Sequence, residues 1–137
     1  MYLIAFPLLL IPFALYNMVA FLLNMPFTET VLSVPLPGDR RMPVNIGDAL
    51  LALSILLLYF EVLKAARFHA KSGMDHILAF ILFAGITSEL VLVPAAATST
   101  LLLMAVLSFV DFIIGLSLLS RSRARDIVLE IPNNPTT

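Results

Sequence analysis

Between Ile77 and Leu118 the chain carries only two charged side chains, Glu89 and Asp111. As a helix, that run would be about 63 Å long, roughly twice the thickness of a bilayer core. It has to cross, turn and cross back. Pro94 and the AAATST stretch after it supply the turn. Both carboxyls are carried into hydrocarbon on the way, where such groups are costly unless something answers them.

The rest of the chain agrees. Of its 137 residues, 61% are hydrophobic and only 12% charged, about half the charged share of an ordinary soluble domain. The lipid bilayer is the first partner the sequence implies. Net charge is −1, so nothing argues for nucleic acid. Cysteine is absent, which excludes a disulfide framework, thiolate chemistry and thiol metal sites. Tryptophan is absent too, so Tyr and Phe would have to form any interfacial belt.

Four spans are expected, at about 2–23, 46–67, 74–93 and 98–119. The first, MYLIAFPLLLIPFALYNMVAFLLN, lacks the basic start and small-residue cleavage site of a signal peptide and reads as a retained span. Pro7 and Pro12 fall early in it, and Asn17 lies in its second half as interhelical glue. The second span has a charge-free stretch only from Ala49 to Phe60. Asn45 with Asp48 at N3 caps its start, and Glu61 has Lys64 one turn on as an ion-pair partner. Lys64 and Arg67 extend it by snorkelling. Ser72 with Asp75 is a capping box that opens the third span. Thr98 or Ser99 caps the fourth. On that span Ala105, Ser108 and Gly115, with Asp111 among them, form a small-residue stripe where another helix can approach closely.

Residues 24–45 are too long for a simple turn. Leu32, Val34 and Leu36 alternate on one side of Pro37-Gly38-Asp39, and Met42, Val44 and Ile46 alternate on the other. That is the pattern of a β-hairpin with strands near 31–36 and 40–44, the alternative being an irregular extracytoplasmic loop. A lone hairpin is marginal in water, so its apolar face needs the bundle, the lipid surface or a partner. Residues 120–137 read as a tail lying against the surface.

Basic residues set the orientation. Lys64, Arg67 and Lys71 lie between spans two and three, and Arg121, Arg123 and Arg125 follow span four, against Arg40 and Arg41 in the first loop. Both termini and the middle linker are therefore expected in the cytoplasm, with the hairpin outside. The fold class is an all-α membrane protein, an antiparallel four-helix transmembrane bundle with a small extracytoplasmic β-hairpin between helices 1 and 2.

No phosphate loop, GxSxG or HExxH is present. His76 follows Asp75 directly, so their side chains point about 100° apart on a helix and form no dyad. His69 and His76 lack the further ligands a metal needs. No catalysis, metal or cofactor is expected. The intramembrane acids remain. By residue count Glu89 and Asp111 differ in depth by roughly 10 Å, so each needs its own partner. Asn17 falls near the level of Glu89, and Tyr59 near that of Asp111. With no cation at either depth, the acids either pin the packing as neutral carboxyls or relay protons.

The motifs Gly47-Asp48, Phe60 to Lys64 with Arg67, Asp75-His76, Glu89 with Val93-Pro94, Thr98 to Thr100, Asp111 and Arg125-Asp126 resemble a group of small, uncharacterised four-span bacterial inner-membrane proteins. The resemblance covers roughly 44–127. Arg40-Arg41-Met42 departs from it, since an aromatic is usual there. It implies a bacterial inner-membrane, four-span protein and transfers no activity. The leading expectation is a non-enzymatic protein acting by association, as a homo-oligomer or with other membrane subunits, with the small-residue stripe of span four and the outer hairpin as contact surfaces. The alternative is a proton- or cation-conducting oligomer using Glu89 and Asp111.

Overall fold

The computed structural model of the chain describes residues 6–68 and 73–130. An eight-residue helix, α1 (Leu10–Asn17), continues into a six-residue π-helical stretch, Met18–Leu23. Pro12 lies in the first turn, where a missing N–H removes no intrahelical bond. Asn24 ends the π stretch with φ 51°, in the left-handed region that Asn tolerates. Residues 2–5 of the expected first span lie outside the described residues. The described part is about 20 Å long, short of the thickness of a bilayer core.

The hairpin is present. Strands β1 (Thr30–Leu36) and β2 (Arg40–Asn45) pair antiparallel, with Val34 opposite Met42 and Leu32 opposite Val44. The alternation put the same residues on one face. Gly38 (φ 86°) and Asp39 (φ 57°) turn the chain in the left-handed region. Two details differ from the sequence reading. Ile46 starts a helix instead of extending the apolar face, and its N–H bonds the Glu29 carbonyl at 3.0 Å. The apolar face is not laid on the helices either, for Leu32, Leu36 and Met42 are exposed.

Helix α2 (Ile46–Phe68) starts with Asp48 accepting the Asn45 N–H at 3.1 Å, half of a capping box. The Asn45 side chain turns instead toward Thr30. Helix α3 (Gly73–Leu92) has Asp75 in its first turn, and its proposed cap Ser72 lies outside the described residues. A 3-10 turn at Pro94–Ala96 leads to α4 (Ser99–Glu130). Thr98 caps α4, its Oγ1 accepting the Leu101 N–H at 3.2 Å. The helix runs past the expected end at Leu119 to Glu130, so the first part of the expected surface tail is helical. Arg, Ala and Leu are good helix formers, and the next proline is Pro132.

Ring pairs fix the packing of α3 on α4. Phe83 meets Phe109 with centroids 5.4 Å apart, and Phe80 meets Phe112 at 5.5 Å, so the helices are antiparallel. Helices α2 and α4 start side by side and run parallel, because a Cβ added at Gly47 would collide with Thr100 Oγ1. Leu50, Leu58, Leu82, Ile86, Leu101 and Met104 fill the space between them, with Leu9 and Tyr16 of the first segment.

Candidate functional site

Helix α2 buries Gly47, Leu50, Ser54, Leu58 and Glu61, a stripe spaced three or four residues apart. Helix α4 answers with Thr100, Met104, Ser108, Asp111 and Gly115 at the same spacing. The seam is unusually polar for an interface between apolar helices. Glu61 is 6% exposed, Asp111 1%, and Ser54 and Ser108 no more. Counting down the two parallel helices from Gly47 and Thr100 brings Glu61 level with Ile114. Asp111 is then within about one turn of it in depth.

Two polar groups of the seam answer their burial within the chain. Ser54 donates to the Leu50 carbonyl at 2.7 Å, the usual escape for a hydroxyl inside a helix. Glu61 accepts the Leu8 backbone N–H through Oε2 at 3.1 Å. Leu8 precedes the first turn of α1, where N–H groups have no intrahelical acceptor. Glu61 thus fastens the start of the first helix to the second half of α2.

The partners proposed for the acids are corrected as well. Asn17 donates to the Phe13 carbonyl of its own helix at 3.1 Å, because a short amide on an α-helix reaches its own backbone first. Tyr59 is 61% exposed and sets its ring against Phe60, on the opposite side of α2 from the seam. Neither forms a hydrogen bond to Glu89 or Asp111 among the described residues, where Asn17 bonds Phe13 and Tyr59 meets Phe60. The expected separation of Glu89 and Asp111 does agree with the ring pairs, which place Glu89 level with Leu103 and about 12 Å from the depth of Asp111. Glu89 is half-buried, and its Oε1 makes no hydrogen bond among the described residues.

Tyr16, which the sequence reading passed over in favour of Asn17, is the anchor of the first helix. It is fully buried, donates to the Ala96 carbonyl at 2.7 Å, and lies 2.6 Å from Thr98 Oγ1. Its ring stacks on Phe27 at 4.4 Å. One side chain therefore joins α1, the loop after the π stretch and the cap of α4. Its position between Pro12 and the polar loop was the only signal available. The stripe Ala105, Ser108 and Gly115, read as a surface for another helix, is buried within the chain against its neighbours. Helix α3 carries the exposed small residues instead, Ala84, Gly85 and Ser88.

His76 stacks on Phe112 at 4.5 Å, and His69 lies outside the described residues. Among the described residues no three His, Cys, Asp or Glu side chains gather to hold a metal.

Fold and seam define a mostly helical protein with three helices long and apolar enough to cross a membrane, Ile46–Arg67, Met74–Leu92 and Ser99–Arg125, and a small antiparallel hairpin. No protein-family model, curated protein or solved structure matches the chain.

Proposed function

We propose that this is a non-enzymatic protein of the bacterial inner membrane that works by association, as a homo-oligomer or as a subunit of a larger membrane complex. In this reading the chain spans four times with both termini in the cytoplasm. The observation that carries the reading is the outward face of α3. Phe80, Phe83, Val91 and Leu92 rim a groove of about 410 Å³ floored by Ala84, Thr87 and Ser88. Gly85 beside it has open space where a side chain would stand. Small residues four apart let a second helix approach to backbone distance, and van der Waals packing drives association in lipid. Because the chain has no cysteine, Ala84→Cys gives a single reporter. Oxidation in native membranes is expected to yield a disulfide-linked dimer or a defined adduct. Ala84→Leu is expected to fill the groove and release the free chain in mild detergent. An Ala84→Leu protein of unchanged size on light scattering would sink the reading.

The seam favours one second reading. Asp111 and Glu61 are carboxyls within a turn of each other in depth, below two buried serines. That is the arrangement of a proton or cation path. In this reading Asp111→Asn folds normally and stops dissipation of a pH gradient across liposomes, and Glu89→Gln tests whether the second acid named by the sequence belongs to the same path. Equal flux in wild type, both variants and empty liposomes removes it.

A further inference from the structure

Strand β2 ends at Asn45 and α2 begins at Ile46, with no residue between them. The first two N–H groups of α2 have no acceptor within the helix. They donate to the chain entering β1, Ile46 to the Glu29 carbonyl at 3.0 Å and Gly47 to the Phe27 carbonyl at 3.1 Å. Both ends of the hairpin are thereby tied to the start of a helix long and apolar enough to cross a membrane, Ile46–Arg67. Where that helix enters the bilayer, the root of the hairpin lies at headgroup level, and the six residues of β2 reach about 20 Å from it.

The register sorts the side chains of the hairpin, because residues directly opposite share a face. Leu32, Val34 and Leu36 lie with Val44, Met42 and Arg40. That face is apolar but for one cation, at the end far from the root. Leu32 is 60% exposed, Leu36 41% and Met42 47%, so the described helices leave it open. Ser33, Pro35, Arg41 and Pro43 share the other face. A proline within a paired strand turns its nitrogen away from the partner strand, since it has no N–H to give. Pro35 therefore removes a donor from the open edge of β1, and Pro43 removes one from the open edge of β2. Edges interrupted in this way resist addition of a further strand. The apolar face is what remains for a partner.

We propose that this face docks on the phospholipid surface beside α2, with its apolar side chains at the boundary of headgroups and acyl chains and the Arg40 guanidinium on a lipid phosphate. The proposal rests on the reading of Ile46–Arg67 as a span. Leu, Val and Met side chains ask for hydrocarbon without directional contacts, and the aromatic anchors that enrich protein interfaces are missing from this face. A guanidinium fork fits a phosphate, and its apolar stem lies along the same surface. A phospholipid supplies both halves in one molecule. The two backbone bonds at the root hold the hairpin within reach of it. In water the same face is a liability.

The chain has no tryptophan, so one introduced indole reports its own surroundings. Leu36→Trp and Met42→Trp place it on the docking face, Ser33→Trp on the other, and Leu56→Trp on the exposed side of α2 near its middle. Each full chain is placed singly in nanodiscs of phosphatidylglycerol brominated either near the headgroup or near the acyl-chain end. Bromine near the headgroup is expected to quench Leu36→Trp and Met42→Trp and to leave Ser33→Trp bright. Bromine near the chain end is expected to quench Leu56→Trp, which marks the span. Adding Arg40→Gln to Leu36→Trp is expected to lower the ratio of docked to free hairpin about fivefold. Quenching of Leu56→Trp without quenching of Leu36→Trp and Met42→Trp overturns the docking and leaves the span standing. A bright Leu56→Trp removes the span and the docking with it. Equal quenching of Ser33→Trp and Leu36→Trp, or no effect of Arg40→Gln, also overturns the proposal. So does a blue shift of Leu36→Trp that needs two chains in one disc, which gives the face to a second copy.

Discussion

Leu8 presents a backbone N–H ahead of the first turn of α1, and the helix it enters cannot accept from it. In water the solvent would do so, but between apolar helices only Glu61 is there, at 3.1 Å. The contact needs an acceptor oxygen and no charge. Glu61→Gln keeps an oxygen at the same reach and is expected to change stability by less than about 1 kcal/mol. Glu61→Leu leaves a buried N–H unanswered and is expected to cost about 1–3 kcal/mol. Thermal unfolding in detergent compares the two, and equal losses would mean that the charge matters and the hydrogen bond does not. The sequence showed an acid directly after a charge-free run, and the i,i+3 rule supplied Lys64 as its partner. The Leu8 N–H that it accepts is 53 positions away, and no local rule reaches that far.

The elements meet where the sequence put glycine and short hydroxyl side chains. At Gly47 the backbones of α2 and α4 approach so closely that a Cβ would strike Thr100 Oγ1 and lie 3.5 Å from the Phe27 carbonyl. Gly47→Ala is therefore expected to cost about 1–3 kcal/mol, although alanine has the better helix propensity. Adding Thr100→Ala is expected to recover most of that loss, because the colliding oxygen is gone. A double variant no more stable than Gly47→Ala would locate the conflict at the Phe27 carbonyl instead. The hairpin belongs to this scale too. Its strands, register and turn were legible because a period of two around Pro37-Gly38-Asp39 is a local signal. The end of α4 was less so. The drop in hydropathy after Leu119 was taken as the end of the helix, but hydropathy reports the solvent and not the backbone, which runs on to Glu130.

At the scale of the molecule, α2 and α3 match a bilayer core and α4 exceeds it, at about 48 Å. The excess carries Arg121, Arg123 and Arg125. In the proposed orientation these residues continue as a helix into the cytoplasm. Reporter fusions after Lys71 and after Arg125 are expected to give cytoplasmic signals, and a fusion after Gly38 the opposite one. An extracytoplasmic signal at Lys71 would reverse the layout. An extracytoplasmic signal at Arg125 alone would mean that α4 fails to cross.

The sequence by itself determined where the helices run, that they are apolar enough for a membrane, and which loop pairs as a hairpin. Each depends on neighbours within a few positions, through periodicity, capping and hydropathy. It also set the depth of Glu89 relative to Asp111, since residue count along a helix is a ruler. What it left open was every choice of face. A nearly uniform apolar helix has no amphipathic stripe to say which side turns inward. Asn17 and Tyr59 were chosen by depth alone, whereas Tyr16, Ser54 and Thr100 are the side chains turned inward. For the same reason, the small residues of α4 were spent inside the chain and those of α3 left outside. Only packing in three dimensions decided that. In lipid both faces of such a helix are equally soluble, and the shape of its neighbours is what distinguishes them.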